Sequence, residues 1–193
     1  VITINRADYL NALNEEVIQG LRSAFLTYRA DEEARCAVLC SMGDRAFSVG
    51  ADIKDSPKEM WQGVPSIGVP LDKPLIAAVQ GYSVGGAYIL VQMCDLVVAA
   101  EDTRFRYPEA QVGFTGGLIA GCAARIPHKV AMEFMLLGQD LTAARAYEVG
   151  MVNRVVPKGQ EKVAALEYAR ILERSAPLVV QTIKRFVGET LPR

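Results

Sequence analysis

The sequence has little of what metal sites, membranes and nucleic acids require of a protein. It contains one histidine, and its four cysteines form no CxxC pair, so the spacing of zinc ligands is absent. Its apolar runs are shorter than the roughly 18 to 20 residues of a membrane-spanning helix, and no basic segment precedes one as in a signal peptide. Lysine and arginine form no block, and the net charge is -1. We therefore expect a soluble, cytoplasmic protein with no metal ion and no nucleic-acid or membrane partner.

The chain contains enough hydrophobic residues to form the core of one domain. The chain has 193 residues, of which 51% are hydrophobic, and this is sufficient for one sizeable core but short for two. It opens on Val1 inside a strand-like run, without an initiator methionine, and it stops at Arg193 directly after a helical pattern. We expect segments to be missing at both ends.

Hydrophobic periodicity predicts strands that alternate with helices. A helix begins near Asn14 and carries apolar residues at helical spacing, namely Ile18, Leu21, Phe25 and Tyr28. Short apolar runs predict strands at residues 1–4, 36–40, 74–79 and 95–99, and a helix at 87–93. The remainder from Gly116 is mostly helical, with a strand at 152–156 and helices at 160–174 and 177–188. This alternation is typical of parallel strands with right-handed crossovers, so the predicted fold class is α/β.

Two glycine-containing segments are the first candidates for chemistry. Residues 46–53 (AFSVGADI) follow a buried strand, and their small residues let the main chain approach a ligand closely. Residues 81–86 (GYSVGG) lead into a helix, whose first N–H groups have no acceptor within the helix. Two such donors aimed at one carbonyl oxygen form an oxyanion hole. Each segment alone is equally well explained as a tight turn, but the two together are far more specific.

Five blocks in a fixed order resemble the crotonase (enoyl-CoA hydratase/isomerase) superfamily over nearly the whole chain. They are NRADYLNAL, AFSVGADI, KPLIAAVQGYSVGGA, MCDLVVAAEDTRFRYPEAQVG and LTAARAYEVGMVNRVVP. The resemblance implies a repeated ββα spiral core at residues 1–140 that carries the coenzyme A and oxyanion site. It implies a helical C-terminal region at 141–193, truncated relative to the family, and a homotrimer or a dimer of trimers. Coenzyme A is expected only as part of the acyl-CoA substrate, with no permanently bound cofactor.

The resemblance also implies roles for individual residues. The N–H groups of Ala51 and Gly86 correspond to the oxyanion hole around the thioester oxygen. Six residues correspond to positions along the coenzyme A moiety, where the contacts are chiefly from the backbone: Leu10, Ala12, Phe47, Asp52, Ile53 and Lys54.

The acid/base positions depart from the family pattern. Ile89 stands where hydratases have a glutamate, whereas Glu109, in a Pro-Glu pair before a glycine, is kept. Hydration benefits from two carboxylates, while moving a proton between two carbons of one enolate needs a single one. The residues therefore favour an enoyl-CoA isomerase with Glu109 as its acid/base. A hydratase of the same family and a non-catalytic CoA-binding homologue stay as alternatives, and so does a reading of Glu109 as a solvated helix start.

Other polar residues offer weaker candidates. Asp95 opens a buried strand and is read as a structural hydrogen-bonding group, while Tyr88 and Tyr107 are possible proton donors that more often belong to a core.

A hydrolase constellation competes with this interpretation. Residues 81–85 spell G-x-S-x-G between a strand and a helix, and Ser83, then Asp95 or Glu109, then His128 follow the chain order of an α/β-hydrolase triad. However, His128 begins a helical pattern, and a hydrolase leaves AFSVGADI unexplained. We therefore interpret Ser83 as a turn residue.

Overall fold

A computed structural model describes residues 1–114 and 116–190 of the chain. Its helices are α1 (Glu15–Ala30), α2 (Gly86–Gln92), α3 (Glu109–Val112), α4 (His128–Leu137), α5 (Ala143–Glu148), α6 (Glu161–Glu173) and α7 (Pro177–Thr190). The strands are β1 (Ile2–Ile4), β2 (Ala37–Ser41), β3 (Ala46–Ser48), β4 (Leu75–Val79), β5 (Tyr82–Val84), β6 (Leu96–Ala100), β7 (Arg104–Arg106), β8 (Leu141–Thr142) and β9 (Arg154–Val156). Short 3₁₀ turns lie at Ala7–Tyr9, Met60–Gly63 and Gly117–Ala124.

The strands form two sheets. The larger sheet has the order β1-β2-β4-β6-β9 and is parallel throughout. The smaller sheet has the order β3-β5-β7-β8, with only β8 antiparallel to its neighbour. Three successive units, β2-β3, β4-β5 and β6-β7, each place their first strand in the larger sheet and their second in the smaller one. The predicted α/β class and the ββα spiral are confirmed.

The larger sheet and its helices follow directly from the sequence pattern. Asn14 caps α1 by accepting a hydrogen bond from the Val17 N–H at 3.1 Å. The buried face of α1 consists of the four residues that periodicity predicted, Ile18, Leu21, Phe25 and Tyr28. Strand β4 is buried at every position, because α1 covers one face of the sheet and α6 covers the other.

The residue patterns by themselves did not locate the smaller sheet, although the family resemblance implied a second strand in each ββα unit. Strands β3, β5 and β7 have three residues each, too few to show a period-two pattern, so hydrophobic periodicity indicated no strand there. Ser83 lies inside β5 and not in a turn, which corrects its interpretation as a turn residue. Because β3 and β5 are adjacent and parallel, the two glycine segments that follow them emerge at the same edge of the sheet.

The C-terminal region completes the larger sheet. Strand β9 pairs with β6, and α6 packs its alanines against the same sheet. Helix α7 buries none of its residues. The subdivision at residue 140 stays a prediction, and residues 191–193 of that region lie outside the described residues. None of the helices described is long and apolar enough to cross a membrane.

Candidate active site

The two glycine segments touch each other through their main chains. Gly50 has a φ of +86°, which favours glycine. A Cβ atom placed on Gly50 would lie 2.6 Å from the carbonyl oxygen of Val84 and 3.4 Å from the amide nitrogen of Gly86. Any side chain at residue 50 would therefore push the two segments apart.

Ala51 follows Gly50 and is held by Leu13. The Leu13 N–H donates to the Gly50 carbonyl at 2.8 Å, and the Asp52 N–H donates to the Leu13 carbonyl at 3.0 Å. This is a one-residue parallel bridge, in which the N–H of the paired residue points to the opposite side. The Ala51 N–H donates to no acceptor among residues 1–114 and 116–190, so it is available to a ligand.

Gly86 is the first residue of α2 and offers the second donor. Gly85 before it has a φ of +56°, and its own N–H donates to the Arg106 carbonyl at 2.9 Å. The first N–H groups of a helix lack intrahelical acceptors, and the Gly86 N–H has none elsewhere in the described part of the chain. Two unengaged N–H groups, of Ala51 and Gly86, thus lie on adjoining segments.

The Glu109 carboxyl lies against Gly85. A Cβ atom placed on Gly85 would be 2.6 Å from Glu109 Oε1. Glu109 Oε2 is buried and has no hydrogen-bond partner among the described residues. Burial raises the pKa of this carboxyl to about 7, although a hydrogen bond from its own backbone N–H opposes the rise. At neutral pH both protonation states are therefore populated, which suits a group that accepts a proton and returns it.

Met60 lies against Gly86, whereas Glu109 lies against Gly85. The sequence patterns did not predict the contact of Met60. Its Sδ lies 2.7 Å from the position of a Cβ on Gly86, and its methyl group is closer still. The 3₁₀ turn that carries Met60 packs on α1, where Gly63 touches Ile18. The unbranched thioether is adaptable, so it forms a movable apolar wall beside Gly86.

The six residues predicted to line coenzyme A lie on two neighbouring segments. The Val49 N–H donates to the Leu10 carbonyl at 3.2 Å, which joins the segment of Leu10 and Ala12 to the one that begins at Phe47. Phe47 is completely buried in the core, so only its backbone is available there. Ile53 is 96% exposed and Lys54 is also exposed, so both are accessible to a ligand.

The Asp52 side chain is used within the protein. Its carboxylate is 2.7 Å from the Arg6 guanidinium and accepts hydrogen bonds from the N–H groups of Lys54 and Asp55. Arg6 holds the pKa of this carboxyl below its usual range. Asp52 therefore shapes the loop after Ala51.

The remaining acid/base candidates are engaged or buried. Ile89 is 4% exposed and is part of the core. The Tyr88 hydroxyl is buried and 3.2 Å from Cys122 Sγ, and Tyr107 is buried as well. Asp95 accepts a hydrogen bond from the Leu75 N–H and pairs with Lys184, as expected of a structural group.

Ser83 does not form a hydrolase triad in this fold. Its side chain is completely buried, and its Oγ has no hydrogen-bond partner among the described residues. His128 is exposed at the start of α4. A serine nucleophile needs a histidine within hydrogen-bonding distance and access to substrate, and Ser83 has neither.

Replacement of Ser83 by alanine is therefore expected to leave turnover of acyl-CoA thioesters within a few-fold of wild type, because the hydroxyl makes no contact that catalysis uses. Steady-state kinetics measure this, and a fluorophosphonate probe measures reactivity at Ser83 directly. A loss of several orders of magnitude together with labelling of Ser83 would support the hydrolase alternative.

The assembled site combines two unengaged backbone donors, a carboxyl poised between its two protonation states, and an apolar wall. Backbone N–H groups stabilise negative charge on a carbonyl oxygen, and a carboxyl beside them exchanges a proton with the neighbouring carbons.

Comparison with known proteins identifies the family of the chain. The family model Enoyl-CoA hydratase/isomerase matches residues 1–192. Enoyl-CoA hydratase EchA19 of Mycobacterium tuberculosis is 35% identical, covering 98% of this chain and 77% of that protein. (E)-benzylidenesuccinyl-CoA hydratase of Thauera aromatica is 32% identical, covering 99% of this chain and 80% of that protein.

A solved structure is also similar. The carnitinyl-CoA dehydratase from Mycobacterium avium 104 has a TM-score of 0.86 and 37% identity, covering 96% of this chain and 77% of that chain. The family model, the relatives and the fold agree, and the chain belongs to the enoyl-CoA hydratase/isomerase family of acyl-CoA enzymes.

Proposed function

We propose that this protein forms an enolate from an acyl-CoA thioester and moves a proton on it with Glu109 alone, as an enoyl-CoA isomerase does. The N–H groups of Ala51 and Gly86 bind the thioester oxygen. The observation that carries the proposal is the Glu109 carboxyl, which rests on Gly85, has a pKa raised to about 7 and keeps one buried oxygen without a partner among the described residues.

The chemistry balances with one carboxylate. Glu109 takes a proton from C2 of a 3-enoyl-CoA, and the electrons of that C–H bond form the enolate, whose charge lies on the oxygen between the two N–H donors. When the carbonyl re-forms, the double bond moves to C2–C3, and C4 takes the proton back from the Glu109 carboxylic acid. The donors are most useful where negative charge develops during the reaction.

We propose that the coenzyme A moiety lies along the Leu10–Ala12 and Phe47–Lys54 segments. Backbone groups provide most of the contacts, because Phe47 is buried and the Asp52 carboxylate is bound to Arg6. Exposed Ile53 and Lys54 supply an apolar and a cationic side chain. Coenzyme A would then bind to the protein only as part of the acyl-CoA substrate.

Hydration or dehydration is the second candidate function, and the similar proteins favour it, since they include hydratases and a dehydratase. That reaction needs a water molecule activated and positioned on one face of the double bond. Ile89 supplies no polar group for this, so Glu109 would have to perform both steps.

One experiment separates the candidates. In deuterated water, wild type is expected to convert a 3-enoyl-CoA into the 2-enoyl-CoA and to hydrate the 2-enoyl-CoA at least about tenfold more slowly, because a second acid/base group is typically worth 10² or more. Ile89→Glu is expected to raise hydration, and Ile89→Gln, which has the same shape without the charge, is the matched control. Products and deuterium incorporation are read by mass spectrometry.

Two other outcomes would contradict the isomerase proposal. Hydration that outpaces isomerisation in wild type would show that the protein is a hydratase. No isomerisation, hydration or deuterium exchange across a range of acyl lengths would favour the non-catalytic CoA-binding alternative.

We also propose a homotrimer or a dimer of trimers in the cytoplasm. Helix α7 supports assembly, because five of its apolar side chains are half-exposed or more, namely Leu178, Val179, Ile183, Phe186 and Val187. An uncovered apolar face of this extent is typical of an interaction surface.

A further inference from the structure

Two consecutive residues beside the Ala51 donor have a backbone conformation that is rare outside glycine. Leu10 has a φ of +51° and Asn11 a φ of +56°. Asparagine tolerates the left-handed region better than most residues, but leucine adopts it only at a cost in free energy, so Leu10 remains there only where surrounding contacts hold it. Both belong to the segment of residues 6–13, here called the N-terminal brace.

The Asn11 side chain supplies those contacts. It is 1% exposed, and its Oδ1 accepts a hydrogen bond from the Arg6 N–H at 3.0 Å. Its Nδ2 donates to the Met42 carbonyl at 2.8 Å and to the Ala46 carbonyl at 3.0 Å. One amide thus joins the start of the brace, the end of β2 and the start of β3.

The brace in turn holds the loop that carries the Ala51 donor. Its carbonyl at Leu10 accepts from the Val49 N–H, and Leu13 bonds to the residues on both sides of Ala51. Arg6 adds the ion pair with Asp52 at 2.7 Å. The direction of the Ala51 N–H therefore depends on the shape of the brace.

The brace also reaches the second donor. Leu13 is completely buried, and its Cδ1 lies 3.8 Å from the position of a Cβ on Gly86. Leu13 thus contacts the Ala51 loop through its backbone and the Gly86 region through its side chain. A shift of the brace would change the distance between the two N–H groups.

We propose that Asn11 is a positioning residue of the oxyanion hole. It touches neither substrate nor reacting atoms in this arrangement, and it acts by locking the left-handed turn of the brace, which aims the Ala51 N–H at the thioester oxygen. This inference rests on the proposed function, since it assumes that the oxygen of an acyl-CoA binds between Ala51 and Gly86.

The test uses Asn11→Gly, which permits the left-handed backbone but deletes the amide, and Asn11→Asp, which keeps the shape but loses both Nδ2 bonds. Asn153→Gly is the matched control. Asn153 also holds a backbone group, accepting from the Val97 N–H at 2.7 Å, but does so between β6 and β9.

The diagnostic readout is the red shift in the absorption of an arylacryloyl-CoA bound at saturation, because polarisation of its carbonyl by the oxyanion hole lowers the transition energy. Both Asn11 variants are expected to lose most of the shift and to lower kcat roughly 10- to 100-fold, since a misplacement of about 1 Å costs on this order. Affinity for coenzyme A is expected to fall too, because Leu10 and Ala12 lie on the brace. Asn153→Gly is expected to lower Tm and keep both shift and kcat.

The possible results separate a failure of the Asn11 role from a failure of the proposed function. If wild type shifts the chromophore and turns over enoyl-CoA, and the folded Asn11 variants keep the full shift and a kcat within threefold, Asn11 is only a structural residue and the proposed function stands. If Asn11→Gly does not fold, Asn11→Asp alone decides by the same criterion. If wild type binds no acyl-CoA and shifts no chromophore, the proposed function and this inference both fall.

Discussion

Gly86→Pro is expected to lower kcat on acyl-CoA by roughly 10²- to 10³-fold relative to Gly86→Ala, because proline removes one oxyanion donor and alanine keeps it. Both substitutions add a Cβ in the space that the Met60 thioether occupies, and that flexible side chain has to move in either case. Proline is tolerated at the first position of a helix, which Gly86 holds in α2. The difference between the variants therefore isolates the N–H group.

Steady-state kinetics and the dissociation constant of coenzyme A measure this effect. Affinity for coenzyme A is expected to change only a few-fold, since the donor acts on the thioester oxygen. Circular dichroism checks that both variants fold. A folded Gly86→Pro with the same kcat as Gly86→Ala would refute the assignment of the Gly86 N–H.

Glu109→Gln is expected to remove isomerisation, with a loss of roughly 10²- to 10⁴-fold or more, because the amide cannot take a proton from C2. In wild type the ionised form starts the reaction, so kcat/KM is expected to rise with pH through a midpoint at the raised pKa of about 7 and to level off above it. Glu101→Gln, in an exposed turn, is the matched control and is expected to keep both rate and profile. If the activity of Glu109→Gln is within tenfold of wild type, another residue must be the acid/base.

The same substitution has a stability signature of known sign. Burial raises the pKa of Glu109 in the folded protein from 4.5 to about 7, so the folded state binds more protons than the unfolded state between these values. Stability then falls as pH rises through this window. The glutamine of Glu109→Gln stays neutral at every pH. The Tm of this variant minus the Tm of wild type is therefore expected to increase from about pH 5 and to become constant above about pH 8. Parallel Tm curves at all pH values would contradict the raised pKa.

Much of the larger sheet was predictable because its signals are local. The spacing of Ile18, Leu21, Phe25 and Tyr28 defines the buried face of α1, and the Asn14 side chain marks the helix start. Continuous apolar runs predict β2, β4 and β6 because helices cover both faces of a parallel sheet. The order of the five blocks indicated the family, and the same blocks carry Ala51, Gly86, Glu109 and the apolar Ile89.

The properties of the site depend on residues far apart in the chain, and only the tertiary structure decided them. The smaller sheet has strands of two or three residues, whose pairing partners are not encoded nearby, yet the pairing of β3 with β5 sets Gly50 against Gly86. The raised pKa of Glu109 requires burial against Gly85, and Met60 comes from a third segment. Sequence alone therefore determined the family, the main elements and the identity of the candidate groups. The fold determined their distances, their protonation and the left-handed brace at Asn11, because each of these is set by packing between segments and not by any segment alone.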